Sequence, residues 1–208
     1  MNDQPRPAGG QITRRTALKA FGSTLGTAAV LPWLSDEGLL AFAHIQDTNA
    51  PPRPKVLTAA QFQTLETLVE GIIPTDDRSA GAKDARVADY IDLWLSETER
   101  EVRLQWIGGL ALVDAEATSR FKTPFSRLNA GQLDAILATM SRNEKEPQTP
   151  LEEFFVMAKR ATVNGYYTSK IGIHDELHYK GNVFLRDFVG CQTEDGKDCP
   201  ICGQKHRI

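Results

Sequence analysis

The sequence predicts an all-α fold: a bundle of about five helices followed by an irregular, aromatic-rich C-terminal segment. Apolar residues recur three and four positions apart through residues 57–164, as they do on one face of a helix. Three capping-box patterns precede such runs. No strand-like alternation rises above this pattern, and 41% apolar with 25% charged residues is ordinary globular composition. These observations predict a single helical domain.

Residues 1–43 are predicted to be a removable export signal with a basic start, a mildly apolar middle and a small-x-small end. The start contains Arg14, Arg15, Leu18 and Lys19, the apolar middle is residues 20–34, and the small-x-small end is Ala41 and Ala43. Paired arginines in this setting resemble the twin-arginine signal, whose cargo crosses the membrane already folded. The apolar run is too short and too polar for a membrane anchor. We therefore expect a periplasmic protein cleaved after Ala43.

The chain that would remain after this cleavage is mildly acidic. Its 165 residues carry 20 basic and 24 acidic side chains, a net charge of −4, with no basic block. A nucleic-acid-binding surface needs concentrated positive charge. Nucleic acid is therefore excluded as a partner.

Residues 44–56 are predicted to be an extended leader arm. Pro51, Pro52 and Pro54 hold the backbone extended and remove amide donors. The arm is expected either to be flexible or to lie along a partner.

The first two helices of the bundle each have a candidate cap. Thr58 can cap a helix that Pro74 ends, and Asp84 can cap a second helix after the loop 75–83. The apolar positions of the two helices are Phe62, Leu65, Leu68, Val69 and Ile72, and Val87, Tyr90, Ile91, Trp94 and Leu95.

The third helix is predicted to be the longest. A capping-box pattern at Ser96–Glu99 opens it and Pro124 stops it. One apolar stripe runs through Val102, Trp106, Leu110, Val113, Ala117 and Phe121. Gly108 and Gly109 cost about 1 kcal/mol each relative to alanine, so they indicate a close helix contact.

Two further box patterns open the fourth and fifth helices. One joins Asn129 to Gln132, and the other joins Thr149 to Glu152 with Pro150 at the first helical position. Aromatic residues at helical spacing are predicted to be core rather than the lining of a cofactor cavity. These are Trp94, Trp106, Phe121 and Phe155.

Residues 165–208 are predicted to be irregular because glycine and aromatic residues occur there without helical period. Tyr166, Tyr167 and Tyr179 either pack back on the bundle or meet another protein, where aromatic residues are favoured anchors. His174 and His178 stand four apart, but the glutamate between them fits neither zincin pattern. We expect ordinary histidines there.

Several segments resemble the gluconate 2-dehydrogenase subunit 3 family. They are LTAAQF at 57–62, EGIIPTDD at 70–77, VADYID at 87–92, residues 106–121, GYYTS at 165–169 and YKGN at 179–182. The resemblance implies a small helical subunit that carries the export signal for a large GMC-type flavoprotein. That partner would hold FAD and oxidise a sugar or sugar acid. A multihaem cytochrome c subunit and the twin-arginine translocase are implied as further partners.

The motifs of this chain agree with a non-catalytic role. Neither the dinucleotide-binding Gly-x-Gly-x-x-Gly nor the hydrolase elbow Gly-x-Ser-x-Gly occurs. Covalent haem attachment requires Cys-x-x-Cys-His, whereas Gly203 follows Cys202. The resemblance accordingly implies no cofactor in this chain and association with a membrane only through partners.

The cysteines near the C-terminus leave three alternatives open: disulfides, a zinc site or inert thiols. Cys191, Cys199, Cys202 and His206 could hold zinc, or the thiols could form disulfides in the oxidising periplasm. An odd count leaves one thiol over, and a bond from Cys191 to the large subunit is one hypothesis. The alternative function is an independent periplasmic helical protein that binds zinc.

Overall fold

The computed structural model describes residues 33–48, 51–179 and 181, and none of these residues is in a strand. Its α-helices are α1 (Asp36–Thr48), α2 (Ala59–Ile72), α3 (Val87–Glu97), α4 (Arg100–Phe121), α5 (Ala130–Met140) and α6 (Pro150–Thr168). A 3₁₀ helix, Phe125–Arg127, precedes α5, and a π-helix, Ile171–Glu176, follows α6. The predicted all-α bundle is confirmed. The described residues up to His178 belong to one compact unit, and Tyr179 begins a second.

Three helix starts are those that the sequence predicts. Complete capping boxes join Thr58 to Gln61, Asn129 to Gln132 and Thr149 to Glu152. In each box the side chain of the first residue and that of the fourth satisfy free backbone amides. The starts of α2, α5 and α6 are therefore marked by capping contacts within four residues of sequence.

Two other predicted starts are wrong. Asp84 does not cap α3, which begins at Val87 after Arg86 in the left-handed region (φ 58°). Ser96 and Glu97 belong to the last turn of α3, and α4 follows from Glu99 without a side-chain cap. Ser96 Oγ instead donates to the carbonyl of Leu93 at 2.6 Å.

The core is built around Trp106 of α4, which is fully buried. Trp94 and Phe154 meet its ring edge-on, with centroids 6.1 and 5.5 Å away. A Cβ added at Gly109 would lie 2.0 Å from Cδ2 of Phe154. The close helix contact predicted for the glycine pair is therefore made by Gly109, between α4 and α6.

Both boundaries expected for the bundle differ in the structure. Residues 44–48 belong to α1 rather than to an extended arm, and α6 continues to Thr168, past the expected end at 164. Gly165 lies within this helix and allows it to pack closely on α3, since a Cβ there would lie 2.8 Å from Cδ1 of Tyr90. The irregular segment thus begins later than expected.

The end of the proline-rich stretch is fastened to the bundle by Asp92 of α3. Its buried carboxylate accepts hydrogen bonds from the backbone amides of Lys55 (2.5 Å), Val56 (3.2 Å) and Leu57 (2.9 Å). Bonds to a charged acceptor are stronger than those between neutral groups. This part of the arm therefore lies along its own chain and leads directly into α2.

Glu152, the third residue of α6, is expected to make stability fall in acid. Its carboxylate accepts hydrogen bonds from the backbone amides of Gln148 (2.8 Å) and Thr149 (3.1 Å) and from Asn143 Nδ2 (2.7 Å). These bonds, that from Gln148 foremost, lower the pKa of Glu152 below its ordinary value of 4.5. The stabilisation is therefore present above pH 4.5 and is lost as the pH falls through the lower pKa of the folded state.

Thermal unfolding between about pH 6 and pH 3 measures this effect, since ordinary carboxyl groups titrate within that range. Glu152→Gln removes the titrating group, so its Tm should fall less steeply with pH than that of the unmodified chain. Glu153→Gln, on an exposed residue of the same helical turn, is the control and should keep the original slope. Equal slopes for all three proteins would refute the role given to Glu152.

Candidate interaction surface

The three tyrosines singled out by the sequence occupy different environments. Tyr166 is buried in its own bundle, where its hydroxyl lies 2.8 Å from both the Ala80 carbonyl and Ser79 Oγ. Tyr167 is half-buried beside it, with ring centroids 5.3 Å apart. Tyr179, in the second unit, is 46% exposed. For Tyr166 the structure thus shows the first alternative, packing on the bundle.

The remaining predicted sites fall mainly outside the described residues. These are the signal residues Arg14, Arg15, Leu18 and Lys19, and the candidate ligands Cys191, Cys199, Cys202 and His206. The zinc and disulfide hypotheses therefore stay predictions. Within the described ranges, no cluster of three or more His, Cys, Asp or Glu side chains could hold a metal ion.

The histidine pair lies within the described part of the chain. His174 is on the π-helix, whereas His178 lies past its end with φ 52°. The backbone therefore does not place the two side chains on one face of an α-helix.

The predicted cleavage residues lie in a folded helix. Ala41 and Ala43 are half-buried on α1, and Phe42 between them is only 2% exposed. The sequence prediction assigned these residues to a removable leader.

Buried and half-buried carboxylates in the described fold hold loops in place by accepting hydrogen bonds. Glu70 accepts from the backbone amides of Thr75 and Lys83, both at 2.9 Å, and so holds the loop after α2. Asp114 accepts from Thr64 Oγ1 at 3.0 Å and from the Phe125 amide at 2.9 Å. Together with Asp92 and Glu152, these groups position backbone.

An apolar stripe lies on the outward face of α4. Its members recur three and four positions apart and are all exposed. We call this set of residues the outer stripe; it consists of Leu104, Gly108, Ala111, Leu112 and Ala115. Leu104 is 53% exposed and Leu112 42% exposed. At 1.5 Å per residue the stripe extends about 17 Å along the helix.

The outer stripe carries no exposed charge. Between Glu101 and Arg120 every exposed residue of α4 is uncharged, and the charged residues Arg103, Asp114 and Glu116 are half-buried. The half-buried Asp114 is held by Thr64 and the Phe125 amide, and Glu116 pairs with Arg120 at 3.6 Å. Exposed faces of helices in soluble proteins are ordinarily polar or charged. This face therefore differs from an ordinary solvent-facing one.

The helix α4 is thus apolar on two opposite sides. Its inner stripe, including Trp106, Leu110 and Val113, is buried against the bundle, while the outer stripe faces away from it. An ordinary surface helix has one apolar stripe, which faces the core, so the second stripe of α4 is unusual. The outer stripe is therefore the candidate interaction surface of the described fold.

The outer stripe was not predicted, although the sequence contains a signal for it. Leu104, Gly108 and Leu112 recur every four residues, offset by two from Trp106 and Leu110. Two sets of apolar residues on opposite sides of one helix predict that both sides are shielded from water. Other exposed leucines, such as Leu40 and Leu177, stand singly, which is normal for a protein surface.

None of the described helices is both long and apolar enough to span a membrane. A sequence model of a protein family, described as gluconate 2-dehydrogenase subunit 3, matches residues 59–183. The match begins with α2 and leaves α1 outside it. Searches of curated proteins and of solved structures find no match.

Proposed function

The chain belongs to the gluconate 2-dehydrogenase subunit 3 family, and on that premise we propose that it is the non-catalytic small subunit of a flavin-dependent dehydrogenase. Its partner is a larger GMC-type flavoprotein that holds FAD and oxidises a sugar or sugar acid. A multihaem cytochrome c subunit accepts the electrons. This chain supplies binding surface and an export signal, and the pocket of the partner sets the choice of substrate.

The observation that carries this proposal is the outer stripe of α4. Its two leucines, Leu104 and Leu112, are large apolar anchors that are already about half-buried, so covering each gains roughly 1 kcal/mol, about half the value for complete burial of a leucine side chain. Gly108, Ala111 and Ala115 have small or no side chains, so a partner backbone can approach α4 closely. We place the catalytic partner on this face.

The stripe serves as the centre of the interface rather than the whole of it. A stable interface buries about 800 Å² on each side, with an apolar core and a polar rim. The polar residues around the stripe, Gln105, Thr118 and Ser119, are exposed and suit such a rim. This arrangement fits the binding role because it combines desolvated anchors with hydrogen-bonding groups at the border.

The second part of the proposal is transport. The twin-arginine pair in the leader delivers the folded bundle together with its partner to the periplasm, through the twin-arginine translocase. The catalytic subunit then needs no signal of its own.

Replacing Arg14 and Arg15 together by lysine tests this transport role. We expect this chain and the flavoprotein to disappear together from the periplasmic fraction, because the pair is read as an address. Arg6→Lys, a change of the same type outside the pair, is the control and should leave export intact. Export of the flavoprotein at its normal level in the double variant would contradict the carrier role.

The spacing of Cys191, Cys199, Cys202 and His206 supports a second candidate, an independent zinc-binding protein. Metal analysis of the purified chain separates the candidates. One zinc per chain without a protein partner would favour the second candidate over the first.

A further inference from the structure

The segment from Trp33 to Thr48 is part of the bundle core. Leu34 and Phe42 are 4% and 2% exposed, and the Phe42 ring meets Tyr90 edge-on with centroids 5.2 Å apart. A Cβ at Gly38 would lie 2.6 Å from Oε1 of Glu97, so α1 lies close against the end of α3. Burial raises the pKa of the Tyr90 hydroxyl, which donates to Asn164 Oδ1 at 2.5 Å.

The N-terminal end of α1 is fixed by residues far away in the chain. The backbone amide and hydroxyl of Ser35 donate to the Glu97 carboxylate at 2.9 and 2.7 Å, and Ser35 Oγ accepts from the Gly38 amide at 3.0 Å. Just ahead, the Trp33 ring packs on Trp94, with centroids 4.9 Å apart. The Arg160 guanidinium lies 5.6 Å from the centre of the Trp33 ring, a cation–π contact.

The C-terminal end of α1 is fixed as well. Gln46 Nε2 donates to the Ala85 carbonyl at 3.3 Å, and its Oε1 accepts from the Lys170 amide at 3.2 Å. The Lys170 ammonium pairs with Asp47. The helix is therefore attached at both ends and along its buried face.

We infer that Trp33–Thr48 remains in the mature protein and that signal peptidase does not cut after Ala43. Any processing site then lies N-terminal to Trp33. The packing of α1 on the bundle does not depend on the proposed function. The presence of an export signal ahead of α1 rests on that proposal.

The physical reason is that the bond between Ala43 and His44 lies within a helix. A protease binds its substrate in an extended conformation, so α1 would have to unwind and withdraw Phe42 from its contact with Tyr90. A twin-arginine cargo folds before it crosses the membrane, so α1 is already packed when the peptidase meets it. Cleavage there would also remove Trp33, Leu34 and Phe42 from the core and leave Tyr90 and Trp94 uncovered.

Intact-mass measurement of the chain isolated from the periplasm tests the inference directly. The expected mass is that of a chain containing Trp33, whether the leader has been cleaved upstream or retained. A mass that corresponds to a start at His44 would overturn the inference.

A second measurement does not depend on export. In full-length chain that carries lysine at both Arg14 and Arg15, Phe42→Ala should lower the Tm by about 10 °C, as expected for loss of a buried aromatic side chain. Leu40→Ala, on a residue of the same helix that is 72% exposed, is the matched control and should shift the Tm by less than about 2 °C. Equal shifts for the two variants would show that α1 is not packed, and would overturn the inference even if export failed.

Discussion

Replacing Gly109 by alanine is expected to destabilise the bundle by about 3 kcal/mol, at the upper end for overpacking of a core. The added Cβ would lie 2.0 Å from Cδ2 of Phe154 and 2.3 Å from its Cε2. The Phe154 ring is 4% exposed and packs edge-on against Trp106, so it cannot move aside without disturbing that contact. The contact between α4 and α6 would have to open.

The neighbouring glycine provides a matched control. A Cβ at Gly108 would meet no atom within 4 Å among the described residues, because this position faces outward. Gly108→Ala should therefore be neutral or stabilising by up to about 1 kcal/mol through the better helix propensity of alanine. Urea unfolding followed by circular dichroism measures both variants. Equal free energies of unfolding for the two variants would contradict the close approach of α4 and α6 at Gly109.

Replacing Leu112 by glutamate is expected to weaken the complex with the catalytic subunit at least about 100-fold, or about 2.7 kcal/mol. In the proposed complex the carboxylate would be buried against apolar surface without a partner, which is strongly unfavourable. In the free chain Leu112 is 42% exposed, so the variant should fold normally. The readout is co-purification of the flavoprotein, together with the circular dichroism spectrum of the free variant.

Leu40→Glu is the control for this experiment, because Leu40 is 72% exposed on α1 and lies outside the outer stripe. It should leave partner binding unchanged. A Leu112→Glu chain that folds and still binds with undiminished affinity would exclude the outer stripe as the docking surface.

Local sequence chemistry predicts much of this fold. The boxes at Thr58, Asn129 and Thr149 satisfy backbone amides within four residues, so their effect is visible in the sequence. Ser96 and Glu99 also fit the capping-box pattern, but they form no box. There Glu97 binds Ser35, 62 residues away, and Ser96 bonds back to Leu93. A tertiary contact overrides the local preference.

Helix α1 was missed for the same reason. Its apolar and small residues match the end of a signal peptide, while the features that hold it in place lie on α3 and near residue 170. The burial of Tyr166 likewise depends on its contacts with Ser79 and Ala80, more than 80 residues away in the chain. Periodicity identifies apolar faces, and only tertiary structure determines which of them are covered.

Affinity purification of the tagged, natively exported chain, with an absorbance spectrum and metal analysis of the same sample, tests the proposed role most directly. The support role predicts one large partner in a 1:1 ratio, with the absorbance of a bound flavin. A chain recovered alone from the periplasm, with one zinc and no flavin, would contradict that role. The candidate ligands Cys191, Cys199, Cys202 and His206 would then be the first residues to replace.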